Sequence, residues 1–448
     1  MPGLFGTLYT ANSGMRTQQQ AIQTTSHNIA NVNTPGYSRQ RTVTSTTSPY
    51  TNPSYTNSIG AGQVGTGVEV TDIERIRNTF YDFQYRSESH EYGKHTVKHD
   101  YYNNIENIFN EPSDTGISSS MNKFFSNWQE LAKDPNNASA KNIVVESGKS
   151  LAGTISETYK RLDNLEGTIQ QEVDRISSGI ADILAELEDL DKNIKIVEGA
   201  GKTPNDYLDK KDKLLDELSF KLNIQDADNE EMLKYVVSEG KIDGKIDLDK
   251  LTNAVKTAIN NAMDDETINL SGELQGYKEM KQDINTIKEE LKSFTQTMTE
   301  KINSIYDDNN SDFFVFDSNA KPLIKVIDTL ESDATKLSIT SNKANQIANS
   351  KDEKIDLDGD GTVDKSIRSM YNNILENVGL KSREAIRNED NQRNLINNID
   401  ASRTSITGVS LDEEMVNLIQ LQHSYGANAK VLSTVDSLLD IVINGLIR

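Results

Sequence analysis

Both ends of this chain are written as helices that need a partner. Leu4, Leu8, Ala11, Met15, Gln18, Ile22, Thr25, Ile29 and Val32 follow one another at alternating steps of four and three. That spacing keeps one stripe of a helix turned towards a neighbour. Leu411, Met415, Leu418, Gln422, Tyr425, Ala429, Leu432, Val435, Leu439, Val442 and Leu446 repeat the pattern, with one slip at Val435. Ser410 stands at the N-cap position, and Glu413 three residues on completes a capping box. The two ends are read as pairing into a stalk. A two-helix stalk leaves apolar surface uncovered, and such patches mark interfaces, so the stalk is expected to stack against further subunits.

Composition agrees with long helices that bury narrow stripes. Hydrophobic residues make up 35% of the 448, and the mean hydropathy is −0.62, low for a compact globule. The net charge of −22 disfavours nucleic acid and anionic membranes as partners. With no cysteine, disulfides and thiolate metal sites are excluded. The opening "MPGLFGTLYTANSGM" has no basic start, apolar run or cleavage site of a secretory leader. No apolar run approaches the ~20 residues a membrane span needs. If the protein leaves the cell, the expected route uses no cleaved signal.

Two further seams lie inside the chain. Ile169, Val173, Ile176, Ile180, Ile183, Leu187, Leu190 and Ile194 form the first; Ile284, Ile287, Leu291, Phe294, Met298, Ile302 and Ile305 form the second. They are expected to pack antiparallel in a bundle. Residues 42–63 are rich in Thr, Ser and Asn and read as linker. "VGTGVEVTDIERI" reads as holding a short strand, and 78–110 and the segment around Trp128 as helices, the latter stopped at Pro135. "LKYVVSEGKIDGKIDLDKL" suggests short strands and "TNAVKTAINNAM" a helix, while 308–365 is polar and loop-rich. The expected fold is mainly α: paired N- and C-terminal helices in a coiled-coil stalk, a central bundle of long helices, and a small outer α/β insertion. The expected division is 1–62 with 405–448 for the stalk and linker. Residues 63–220, 271–307 and 366–404 then make the central body, and 221–270 with 308–365 the insertion.

Motifs that carry chemistry are sparse. "DLDGDGTVD" puts Asp356, Asp358, Asp360 and Asp364 at positions 1, 3, 5 and 9 of a calcium loop, with Gly361 at the turn. Ile367 stands where the bidentate Glu belongs, so the stretch reads as a structural calcium site or as a solvated Asx-rich turn. His95 and His99 share a helix face near His90, but two histidines do not close a zinc site. "GAGKT" at 199–203 follows a helical heptad rather than a strand and is not a phosphate loop. No G-x-S-x-G elbow and no Cys nucleophile occur, so no catalytic or cofactor-binding residue is expected.

"TTSHNIANVNTPGYSRQ", Thr24 to Gln40, ends the first helix at a Pro-Gly turn. It resembles the N-terminal signature of the bacterial flagellar axial proteins, the rod, hook and hook-associated family. "SLDEEMVNLIQLQHSYGANAKVLSTVDSLLDIVINGLI" resembles that family's C-terminal helix. "GTGVEVTDIERI", "EPSDTGISSSMNKFF", "GAGKTPNDYLDKKDKLLDEL" and "SGELQGY" resemble blocks of the branch that joins hook to filament; 221–270 and 308–365 look divergent from it.

The resemblance implies a structural adapter, not an enzyme, exported to the outside of the cell through the flagellar type III apparatus. It would polymerise through Leu8, Met15, Ile22, Ile29, Tyr37, Arg39, Leu418, Leu432 and Leu439. The implied partners are copies of itself, the hook protein, a second junction protein (hook-associated protein 3) and a cytoplasmic export chaperone. A hook or distal-rod protein of the same family is the alternative, and an enzyme carried on a flagellar scaffold a remote one.

Overall fold

The computed structural model describes residues 3–49, 65–265, 267–306, 312–318, 320–355 and 365–445. In chain order, helix α1 (Leu4–Ala30) leads into strands β1 (Gln40–Thr46) and β2 (Val68–Arg75). Helices α2 (Thr79–Phe109), α3 (Ile117–Lys133), α4 (Ala138–Gly199), α5 (Asn205–Lys221) and α6 (Ala227–Glu239) follow. A hairpin of β3 (Lys241–Ile242) and β4 (Lys245–Ile246) leads to α7 (Leu248–Asp264) and α8 (Gly272–Tyr306). A second small hairpin, β5 (Phe314–Phe316) and β6 (Ile324–Val326), precedes α9 (Asp328–Ser332) and α10 (Ser341–Ser350). Strands β7 (Lys354–Ile355) and β8 (Lys365–Ser366) pair before α11 (Ile367–Thr407) and α12 (Leu411–Gly445). The four strand pairs among the described residues are antiparallel. The chain is mainly α, as its periodicity dictates.

Helices α2, α4, α8 and α11 build the body. Both internal seams face its core: Ile169, Val173, Ile176, Ile180, Ile284, Leu291, Phe294, Met298 and Ile302 are buried. Tyr101 on α2 touches Thr168 of α4 and Tyr277 of α8, while Lys288 pairs with Asp163 and Glu166. α4 and α8 are therefore antiparallel but offset. The seam of α8 lies against the first half of α4, and the seam of α4 runs on past the start of α8, where Lys211 of α5 reaches Asp191 and Lys241 reaches Glu188. α2 runs parallel to α8, with Lys98 on Glu279 and Tyr102 on Asp283. α11 returns along α2, from Tyr371 beside Phe109 to Arg403 over Tyr85.

Two local expectations change. The "linker" from 42 begins as β1, because Thr42, Val43 and Thr44 are β-branched and β2 offers a partner edge, with one register shift at Val43/Thr44. "LKYVV" is helical: Asp226 caps α6 through Asp228 N and Asn229 N, and Val236 is buried by α7 packing on α6. The strand signal there is confined to the β3–β4 hairpin. Asp243 and Gly244 both have positive φ, as its two-residue turn requires. Phe313, Phe314, Ile324 and Leu337, from the stretch read as polar and loop-rich, are buried in the main core as well. Phe313 and Phe314 pack on Phe124, and Phe313 on Trp128.

Candidate assembly interface and the joint beneath it

α1 and α12 pair lengthwise. Asn28 meets Glu414, and a Cβ at Gly14 would stand 2.9 Å from Asn428 Nδ2, so the two helices are antiparallel. The deepest residues of α1 are Ala11, Gly14, Thr17, Thr24, Thr25 and Asn28. Small side chains let the backbones approach, and β2 packs against the same helix, with Thr17 Oγ1 donating to Val68 O. On α12 the buried positions are Glu414 and Val435. The predicted seam residues Leu8, Met15, Ile22, Ile29, Leu418, Leu432 and Leu439 are half-buried along the pair. Leu411, Met415, Gln422, Tyr425 and Val442 are exposed instead, and Leu446 lies outside the described residues.

The pair leaves α12 largely uncovered. Met415, Val416, Ile419, Val431, Leu438, Ile441, Val442 and Ile443 are exposed, as are Phe5 and Tyr9 on α1. Apolar residues are spread over more than one side of α12, between polar ones, and one partner helix can cover only one side. Each such side chain gains roughly 1.5–3 kcal/mol when it is fully buried. Among the described residues, no helix is long and apolar enough to cross a membrane.

The base of this stalk is a polar joint built from "TTSHNIANVNTPGYSRQ". α1 stops at Ala30, and Gly36 takes φ +84° in the turn that follows. Asn28, almost fully buried, uses its whole amide. Nδ2 donates to Gln40 O (2.9 Å) and Glu414 Oε2 (3.1 Å); Oδ1 accepts from Gln40 N (2.9 Å) and Tyr37 OH (2.8 Å). One side chain thus ties the first helix, the turn, β1 and the last helix together. Burial, then the carboxylates of Asp206, Asp209 and Glu414, push the Tyr37 phenol well above its ordinary range, so it stays a neutral donor. Arg39 pairs with Glu414 at 2.7 Å and Glu413 at 3.2 Å.

Beneath the joint, α5 presents a stripe of carboxylates: Asp206, Asp209, Asp212 and Asp216, at helical steps of three, three and four. Gln40 Nε2 donates to Asp206 (3.0 Å) and Ser38 N to Asp209 (3.0 Å). Arg75 reaches Asp209 and Asp212, both at 2.8 Å. Arg86 reaches Asp212 (3.0 Å) and Asp216 (2.7 Å), and Arg403 of α11 reaches Asp216 (2.6 Å). Arg77 holds Asp82 through two bonds. Burial alone would raise the Asp212 carboxyl; Arg77, Arg75 and Arg86 outweigh it and hold the group below the usual carboxylate range. Desolvation offsets much of the attraction in such pairs, so their product is register: five segments meet in one arrangement.

Of the predicted interface residues, Tyr37 and Arg39 therefore serve this internal joint. The α5 stripe, Asn28, Arg75, Arg86 and Arg403 were missed. The i, i+3 spacing of Asp in "NDYLDKKDKLLDEL" was their one visible signal. Asp356, Asp358, Asp360 and Asp364 lie outside the described residues. His90, His95 and His99 sit along α2, and no group of three or more metal-ligating side chains occurs among the described residues.

Paired terminal helices bearing an uncovered apolar face, keyed to a helical body, are the geometry of a chain that assembles with a partner. Residues 8–37 match the family described as "Flagella basal body rod protein", and 401–445 match "Flagellar basal body rod FlgEFG protein C-terminal". Residues 102–311 match "Flagellar hook-associated protein FlgK helical domain". The chain is 29% identical to flagellar hook-associated protein 1 of Bacillus subtilis (strain 168), covering 100% of this chain and 99% of the relative. It is 23% identical to the proteins of that name from Salmonella typhimurium and Escherichia coli K12, covering 97% of this chain and 98% of each relative. Over its full length the chain is thus similar to flagellar hook-associated protein 1, and it is a structural subunit of the bacterial flagellum.

Proposed function

We propose that this protein polymerises as the adapter between hook and filament, outside the cell, with the α1–α12 stalk as its assembly face and the body facing outward. The observation that carries this reading is the apolar surface of α12 that α1 leaves uncovered. Copies of the chain, stacked head to tail, would bury it. The hook protein on one side and a second junction protein on the other would cap the stack. The unburied face also gives an export chaperone something to guard before assembly. Deleting the gene tests the reading: electron micrographs should show hooks of normal length without filaments. Absence of the hooks themselves would make the protein a hook or distal-rod component.

A further inference from the structure

The uncovered side of α12 carries a hole shaped for a neighbouring helix. Val416, Ile419, Ala427, Lys430, Leu438 and Ile441 are exposed and follow at intervals of three and eight residues. At 3.6 residues per turn, that spacing keeps them on one side of the helix. In the middle of this stripe, Ala427, Lys430, Val431 and Thr434 border a recess of about 350 Å³, with Val435 at its edge. Positions i, i+3, i+4 and i+7 are the four corners that receive a side chain of the facing helix in a coiled coil. No described residue of α1 lines this recess.

Lys430 at the rim is exposed and forms no ion pair among the described residues. Its neighbours three and four positions away, Gly426, Ala427, Ser433 and Thr434, are uncharged, and α1 has no acidic residue to offer it. An occupant that fits brings an adaptable apolar side chain with a carboxylate beside it. Another side of α12 carries that pair, about a third of the way round the helix from the recess. Met415 is 54% exposed, and an unbranched thioether chain fills irregular gaps well. Asp412, three residues before it, is exposed and forms no ion pair either, whereas Glu413 and Glu414 are held by Arg39.

We infer that Met415 of one copy seats in the recess of a neighbouring copy, with its Asp412 against Lys430. A helical side chain leans towards the N-terminus of its own helix. In a parallel pair, Lys430 therefore leans to the side of Met415 on which Asp412 lies. The contact joins two different faces, so it is heterologous and passes from copy to copy. It shifts successive stalks by about 22 Å, the rise of the stretch from Met415 to Lys430. The inference rests on the junction role proposed above and names the surface of the second copy that covers this part of α12.

The chain has no cysteine, so a disulfide trap reads the contact directly. Gln422→Cys and Ser437→Cys lie one heptad beyond Met415 and Lys430, at the same offset, and leave the contact in place. The two variants are co-expressed in a strain lacking the native gene, hooks are purified and oxidised, and dimers are read on a non-reducing gel. Covalent dimers with both variants present, and none with either alone, are expected. Adding Lys430→Asp to the Ser437→Cys chain should abolish them, and adding Asp412→Lys to its partner should bring them back. Dimers from one variant alone would overturn the inference, because they report a symmetric contact, and dimers indifferent to Lys430→Asp would overturn the charge pairing. No dimers from the pair, with immunoblotting showing both chains in the purified hooks, would overturn the contact while leaving the junction role standing. Absence of the unaltered chain from the hooks would overturn both.

Discussion

Asn28 shows how much one amide can hold. Its four hydrogen bonds join α1, the turn, β1 and α12, and Asn28→Ala would take these bonds from Gln40 N and O, from Tyr37 OH and from Oε2 of Glu414, whose other oxygen stays with Arg39. The expected cost is about 2–3 kcal/mol. It should appear as local opening of the joint, with faster amide exchange at Gln40 and in the last turns of α1, while the body melts as before. Asp212 gives the joint a pH dependence. Its folded carboxyl binds a proton less readily than in the unfolded chain. That difference stabilises the fold above the ordinary carboxylate value of about 4 and is lost as pH falls through the lower folded value. Acidification below about pH 4 should loosen β1, β2 and α1 from α5; exchange at Ser38 N, bonded to Asp209, is the readout. Exchange unchanged down to pH 3 would assign the joint's stability to packing instead.

At the scale of elements, close crossings matter more than propensity. A Cβ at Gly93 would come within 2.3 Å of Phe220 O and 3.1 Å of Glu273 N, both backbone atoms. Ala is the better helix former, yet Gly93→Ala should destabilise the body by about 1–3 kcal/mol, because α2 cannot retreat from α5 and α8 together. Thermal melts of the two proteins check this. The seams of α4 and α8 were legible because apolar side chains at steps of four and three leave little else for a helix to do. Their offset was not, since periodicity fixes a face and not an axial position. That position comes from contacts such as Lys288 with Asp163. The strand in 40–46 was hidden because its partner lies beyond the Thr/Ser-rich stretch. The Asp stripe of α5 read as a solvated face, as most acidic helix surfaces are, until Arg75, Arg86 and Arg403 were brought to it from three distant segments.

At the scale of the molecule, the body can satisfy itself and the stalk cannot. Trp128, Tyr371 and Phe294 are sealed in the body. Val416, Ile419 and Ile441 stand in solvent on α12. The seam of α1 with α12 was visible in the sequence, but the face free for other molecules lies beside that seam. Leu418 and Leu432 half-bury along α1, whereas Met415, Val416 and Ile419 remain available. The most direct measurement places Val416→Asp with Ile419→Asp in a strain lacking the native gene. The purified variant should melt like the unaltered protein and be secreted into the medium, and electron micrographs should show bare hooks. Filaments attached to those hooks at the normal frequency would contradict assembly through the open face of α12.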